Sequence, residues 1–145
     1  MTVLGSDPVA VAESFRAETG LKLVPLEELL NTSDFVTLHC DLNPTSYHLI
    51  DRPQLDSIRP AAYLINTSRG PVVNEEALIE ALQRGKIAGA ALDVFETEPL
   101  PCDSPLRKMN NCLLAPHNAN SGLAAKKRVH ESTIRNLLNG LKDLA

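Results

Sequence analysis

The feature that most constrains this chain is its rhythm: short apolar runs alternate with amphipathic stretches from one end to the other. Strands separated by helices pair parallel, because a parallel neighbour needs a crossover long enough to hold a helix. The rhythm therefore predicts an α/β fold, a parallel sheet with helices packed on it. Predicted strands cover residues 2–6, 21–24, 35–40, 62–66, 88–94 and 112–115. The run 62–66 is apolar enough to expect burial on both faces. A helix over 9–18 is stopped by Gly20, and another begins at Pro25 and runs to Leu30. Residues 44–58, broken by Pro44 and Pro53, read as loop with a short helix. Asn74 caps a further helix, with Glu75 and Glu76 placed to complement its dipole. Leu78, Ala81 and Leu82 give that helix its apolar face, and Gly85 ends it. The last predicted helix covers 121–141, with Ile134, Leu137, Leu138 and Leu141 on one side.

Length and charge narrow the function classes. The 145 residues suit one domain, and we expect that domain to span 1–145. A net charge of -4 gives no general attraction to nucleic acid. The run Lys126-Lys127-Arg128 is read as the solvated start of a helix. No apolar run reaches the roughly 18 residues that span a bilayer, and no basic-then-apolar signal follows Met1. Cys40, Cys102 and Cys112 are odd in number and without zinc spacing. The expectation is a cytoplasmic protein with reduced thiols, no metal, no membrane contact and no nucleic-acid partner.

In an open parallel sheet, ligands bind beyond the carboxyl ends of the strands. Polar residues stand at the carboxyl ends of five of the six predicted strands: Asp7, His39 with Cys40, the run Asn66-Thr67-Ser68-Arg69, Asp93, and His117. Single polar residues at strand ends are ordinary turn chemistry; the recurrence is the signal. Asp7 can accept from both hydroxyls of an adenosine ribose and would repel a 2′-phosphate, favouring NAD over NADP. Arg69 can grip a carboxylate with two parallel hydrogen bonds, although composition alone would make it a surface loop residue. His117 is a natural acid or base near neutral pH, yet a lone histidine is more often structural. A carboxylate on the imidazole, for which Glu98 is the candidate, would fix its tautomer.

Together these segments resemble the D-isomer-specific 2-hydroxyacid dehydrogenases. The resemblance is carried by Leu64-Ile65-Asn66-Thr67-Ser68-Arg69-Gly70-Pro71-Val72-Val73-Asn74, by Gly89-Ala90-Ala91-Leu92-Asp93-Val94-Phe95, by Glu98-Pro99 and by Ala115-Pro116-His117-Asn118-Ala119. Ser33-Asp34-Phe35-Val36-Thr37-Leu38-His39 extends it. It implies a Rossmann-like, doubly wound parallel sheet, NAD as cofactor and a small 2-hydroxy or 2-oxo acid as substrate. It further implies that Arg69 binds the substrate, that His117 exchanges a proton with its oxygen, and that Glu98 pairs with His117. Asp93 would lie beside the nicotinamide, with Thr67, Ser68, Arg69, His117 and Ala119 also near the cofactor. Asp7 would hold the adenosine ribose and Cys40 would pass close to the adenosine side.

The sequence departs from the family pattern in two respects. Asp41 stands where a proline is usual, and the first strand with its Gly-x-Gly-x-x-Gly turn is absent, as is a substrate domain. The first strand is central in the order 3-2-1-4-5-6, so its absence leaves two inner edges unpaired. We expect residues 2–6 to shift onto residues 35–40, or another chain to supply the strand; a homodimer is the other expected assembly. Lacking the loop that binds pyrophosphate, the chain alone should bind NAD weakly and turn over little. The competing reading is a catalytically idle NAD-sensing or protein-interaction module of the same fold, which would have no need of Arg69, Glu98 and His117 together.

Overall fold

A computed structural model describes residues 1–142, so the last three residues of the domain assigned above lie outside the described residues. The strands fall into two parallel sheets. β3 (Phe35–Leu38), β4 (Tyr63–Asn66), β5 (Gly89–Leu92) and β6 (Cys112–Leu114) lie side by side in chain order. β1 (Leu4–Gly5) and β2 (Lys22–Leu23) form a separate pair, with Leu4 opposite Lys22. The expected shift of residues 2–6 onto residues 35–40 does not occur. β1 stays with β2, and β4 is the one sheet neighbour of β3 among the described residues. Phe35, Thr37 and His39 are exposed, so solvent reaches the open edge and no dry, unpaired backbone results.

The crossovers are α1 (Glu13–Thr19), α2 (Leu26–Thr32), α3 (Arg52–Ser57) and α4 (Glu75–Gln83), with α5 (Leu123–Lys142) at the end. Helix α1 starts later than predicted, and its C-cap Gly20 adopts φ 68°, the left-handed conformation glycine tolerates best. The α4 cap forms as expected: the Asn74 side chain accepts from the Ala77 amide. Helix α3 has a reciprocal cap between Asp51 and Gln54, with Pro53 in its first turn.

Alternation along β3 and β4 decides where the core sits. Val36, Leu38, Leu64, Ala90 and Leu92 face one side and join Leu30, Leu55, Ile58, Leu78 and Leu82 of the helices in one buried cluster. The opposite side carries Phe35, Tyr63 and Leu113, which are 63%, 45% and 71% exposed. The run 62–66 is thus buried on one face only, against the expectation of two. The cause is one-sided cover: α2, α3 and α4 contribute to the cluster on the first face, while Phe35 and Tyr63 stack on each other at 5.7 Å on the second. Helix α5 buries none of its side chains among the described residues, including the predicted apolar row at Ile134, Leu137, Leu138 and Leu141. No described helix is long and apolar enough to cross a membrane.

Candidate active site

The site is assembled at the carboxyl ends of β4, β5 and β6, and its first organiser is Asn66. This side chain, the last of β4, is 1% exposed. Its carbonyl oxygen accepts from the Ser68 amide at 3.0 Å and the Ser68 hydroxyl at 2.8 Å, while its Nδ2 donates to the Arg69 carbonyl at 3.0 Å. One buried amide therefore folds the 67–69 turn around itself, satisfying its own polar atoms as it does so. Arg69 leaves this turn exposed, with Nη1 donating to the Ser68 carbonyl at 2.7 Å. Gly70 follows for a packing reason: a Cβ there would stand 1.9 Å from the Phe95 carbonyl oxygen. The Arg69 turn and the loop after β5 thus touch backbone to backbone.

That loop carries two carboxylates that hold the segment at residues 117–119. Asp93, directly after β5, is 5% exposed and accepts from the Asn118 and Ala119 amides, each at 2.8 Å. His117 itself has φ 53°, a conformation uncommon outside glycine, and the amides that follow it are fixed by Asp93. Glu98 takes the ring: its Oε2 lies 2.7 Å from His117 Nδ1, and its Oε1 accepts from the Phe95 amide at 3.0 Å. An ionised carboxylate is acceptor only, so Nδ1 carries the hydrogen and Nε2 is left to face a ligand. The hydrogen bond from His117 holds the Glu98 carboxyl below the ordinary carboxylate range. The Phe95 amide and the charge of Arg69 act in the same direction, while burial opposes them. Gly70 against the Phe95 carbonyl, and the Phe95 amide on Glu98, set the Arg69 turn beside the loop that holds the imidazole.

At the Arg69 turn a hollow is lined by His39, Cys40, Asp41, Leu42, Thr67, Ser68 and Arg69. Asp7 reaches it electrostatically. Burial raises the pKa of the Cys40 thiol, partly offset by the thiol's hydrogen bond to its own backbone, and the charges of Asp41 and Asp7 add to the rise. Asp7 accepts from the Val9 amide with Oδ1 at 2.8 Å, and its side chain is otherwise exposed. Glu98 and His117 line a second hollow with Phe95, Leu100, Arg107 and Leu114.

The residues singled out from sequence occupy these places with different freedom. Arg69, His117, Thr67 and Asp7 expose their side chains. Ser68 turns its hydroxyl inward to Asn66, Ala119 spends its amide on Asp93, and Asp93 has both oxygens engaged by main chain. Sequence reasoning missed the organising roles of Asn66 and Gly70. A buried amide ending an apolar strand, followed within four residues by glycine, was the signal for both. Among the described residues no group of three or more His, Cys, Asp or Glu is placed to hold a metal.

Comparison with known proteins identifies the family of the chain. Residues 1–119 match the model of the D-isomer specific 2-hydroxyacid dehydrogenase, NAD binding domain. A glyoxylate reductase of Korarchaeum cryptofilum is 49% identical over 126 residues, which is 87% of this chain and 38% of that protein. The chain thus spans well under half of the relatives it matches. Among solved structures, the NAD complex of a D-isomer specific 2-hydroxyacid dehydrogenase from Lactobacillus delbrueckii ssp. bulgaricus superposes with a TM-score of 0.81 at 31% identity, covering 98% of this chain and 46% of that one. An enzyme of the same description from Xanthobacter autotrophicus Py2, in complex with NADPH and MES, gives 0.73 at 39% identity, covering 80% and 36%.

Proposed function

Because this chain belongs to the D-isomer specific 2-hydroxyacid dehydrogenases, matching their NAD-binding domain, we propose that it is the greater part of such a domain and serves the NAD-dependent interconversion of a D-2-hydroxy acid and its 2-oxo acid. The observation that carries the reading is the 2.7 Å pair of His117 Nδ1 with Glu98 Oε2, on which Arg69 also acts. We assign the protein to the cytoplasm. As partners we propose a second copy of the chain or a chain that supplies a strand between β1 and β3.

The residues present fit a dinucleotide. Asp7 keeps an oxygen free of the Val9 amide and stands just past β1, where a ribose hydroxyl can donate to it. The hollow at residues 39–42 and 67–69 lies past β3 and β4. When bound, NADH supplies the hydride and NAD accepts it. Arg69 offers a planar fork that matches the substrate carboxylate. His117 gives its Nε2 proton to the carbonyl oxygen as the carbon is reduced, and recovers it in the reverse direction. Glu98 keeps Nδ1 protonated and stabilises the imidazolium that precedes transfer.

The test uses the 145-residue chain with NADH and a panel of 2-oxo acids. Calorimetry should show weak NAD binding, because the chain has no Gly-x-Gly-x-x-Gly turn for the pyrophosphate. Slow turnover should fall a further ~10²–10⁴-fold in His117→Ala. In Arg69→Ala, 2-oxo acids should cease to perturb the His117 ring resonances. Residual turnover that is indifferent to His117, or ring resonances that no 2-oxo acid moves in the parent chain, would overturn the reading.

A further inference from the structure

Behind the site lies a second histidine–glutamate pair that the proposed chemistry does not use. His48 Nε2 is 2.6 Å from Glu96 Oε1, and the two side chains are 24% and 33% exposed. The same glutamate oxygen accepts from the Glu75 amide at 3.3 Å, while the Glu96 amide donates to Glu75 Oε2 at 3.1 Å. His48 is the one non-glycine residue besides His117 with positive φ among the described residues, at 50°. Its backbone is strapped in place, since the His48 amide donates to the Pro71 carbonyl at 2.8 Å. The Tyr47 ring stacks on its imidazole at 4.0 Å. A residue held in a sparsely populated conformation persists only where its surroundings over-determine it, and here three segments do so.

Two of those contacts come from the segments that carry the site. Pro71 and Glu75 follow the turn that presents Arg69, and Glu96 lies between Phe95 and Glu98. Phe95 abuts Gly70 through its carbonyl and anchors Glu98 through its amide. The loop at residues 95–98 is therefore gripped by one histidine at Glu96 and grips the other through Glu98. We propose that His48, Glu96 and Glu75 are positioning residues: a clasp that fixes the Arg69 turn against the Glu98 loop and so holds the His117 imidazole at its working distance from the guanidinium. The proposal rests on the roles given above to Arg69 and His117. Glu75 is a strained member, because burial raises the pKa of its carboxyl against the pull of the Glu96 amide. The clasp geometry, not that shift, carries the argument.

Nuclear magnetic resonance on the full chain tests the clasp without turnover. The hydrogen-bonded His117 Nδ1 proton should give a downfield resonance, and Glu98 a carboxyl titration below the ordinary range. His48→Ala and Glu96→Ala should lose the resonance and move the Glu98 midpoint upward while the circular dichroism stays that of the parent. His48→Gln, which keeps a donor near the Nε2 position, should retain both signals. A folded His48→Ala with both signals unchanged would reduce the clasp to fold support and overturn the proposal. If the alanine variants do not fold, amide exchange in the parent chain decides: the Phe95 and Glu96 amides should open together, and Glu96 exchanging more than ~10-fold faster than Phe95 would sink it. Clasp-dependent signals in a parent chain whose His117 ring no 2-oxo acid perturbs would instead remove the dehydrogenase reading and leave the clasp standing.

Discussion

The two sheets of this molecule differ in kind. Around the β3–β6 sheet Leu64 of β4, Leu78 of α4, and Ile50 and Ile58 beside α3 are at most 1% exposed, and every strand feeds one cluster. In the β1–β2 pair the strands are two residues long, α1 has no buried residue, and Val3, Val9, Phe15 and Leu23 are 37–71% exposed. The difference follows from cover. Strands in the larger sheet have neighbours on both sides or helices across one face, whereas the pair has neither the length nor the partners to exclude water. The consequence for function is a division of labour with unequal support. The residues assigned to proton transfer and carboxylate binding sit on the packed part, and the residue assigned to the ribose, Asp7, sits on the loose one.

The largest expected contrast uses two glycines. Gly70→Ala drives a Cβ into the Phe95 backbone and should cost about 4 kcal/mol or more, or abolish cooperative unfolding. Gly20→Ala meets nothing within 4 Å and suffers only its φ of 68°, at about 1–2 kcal/mol. Urea denaturation of both variants measures the gap, and equal losses would break the comparison.

A smaller contrast comes from truncating one leucine in each region. Leu64→Ala, at a position 0% exposed, should cost about 2–5 kcal/mol, partly through the cavity left behind. Leu23→Ala, at 37% exposed, should stay within about 0.5 kcal/mol. A Leu23 variant as damaged as the Leu64 one would show that the β1–β2 pair is integral to the core.

Within the packed part, two glutamates should give opposite pH slopes, the smallest of these effects. Glu98 has its carboxyl pKa lowered on folding, chiefly by His117, so its contribution is present above the unfolded carboxylate pKa of about 4.3 and fades as pH falls through the lower folded value. Glu75 has its pKa raised, chiefly by burial, so protonating it as pH falls from neutral favours the folded state. Glu98→Gln should therefore flatten the acid limb of a plot of Tm against pH, and Glu75→Gln should raise stability near neutral pH more than at pH 4. The same sign for both variants would contradict these assignments.

What was legible in the sequence was what local chemistry controls. The alternation of strand and helix and the cap at Asn74 depend on residues within one turn of each other. So does the delivery of Asp7, Arg69, Asp93 and His117 to one end of the strands. The trio proposed for the active site, Arg69, Glu98 and His117, was suggested by the family resemblance, since each of the three alone reads as an ordinary loop residue. The clasp was not readable, because His48 and Glu96 are 48 positions apart and each looks like a solvated loop residue on its own.

By itself, then, the order of residues settled the period of each element and the polarity of its end, since both arise from steric and hydrogen-bonding preferences of near neighbours. Tertiary structure alone decided that β1 would stay with β2 rather than cross to β3, that the second face of β4 would meet solvent, and that both Asp93 oxygens would be taken by Asn118 and Ala119. These outcomes hang on which surfaces and donors the folded chain brings within a few ångströms. That proximity is a property of the whole path of the backbone, and no window of sequence contains it.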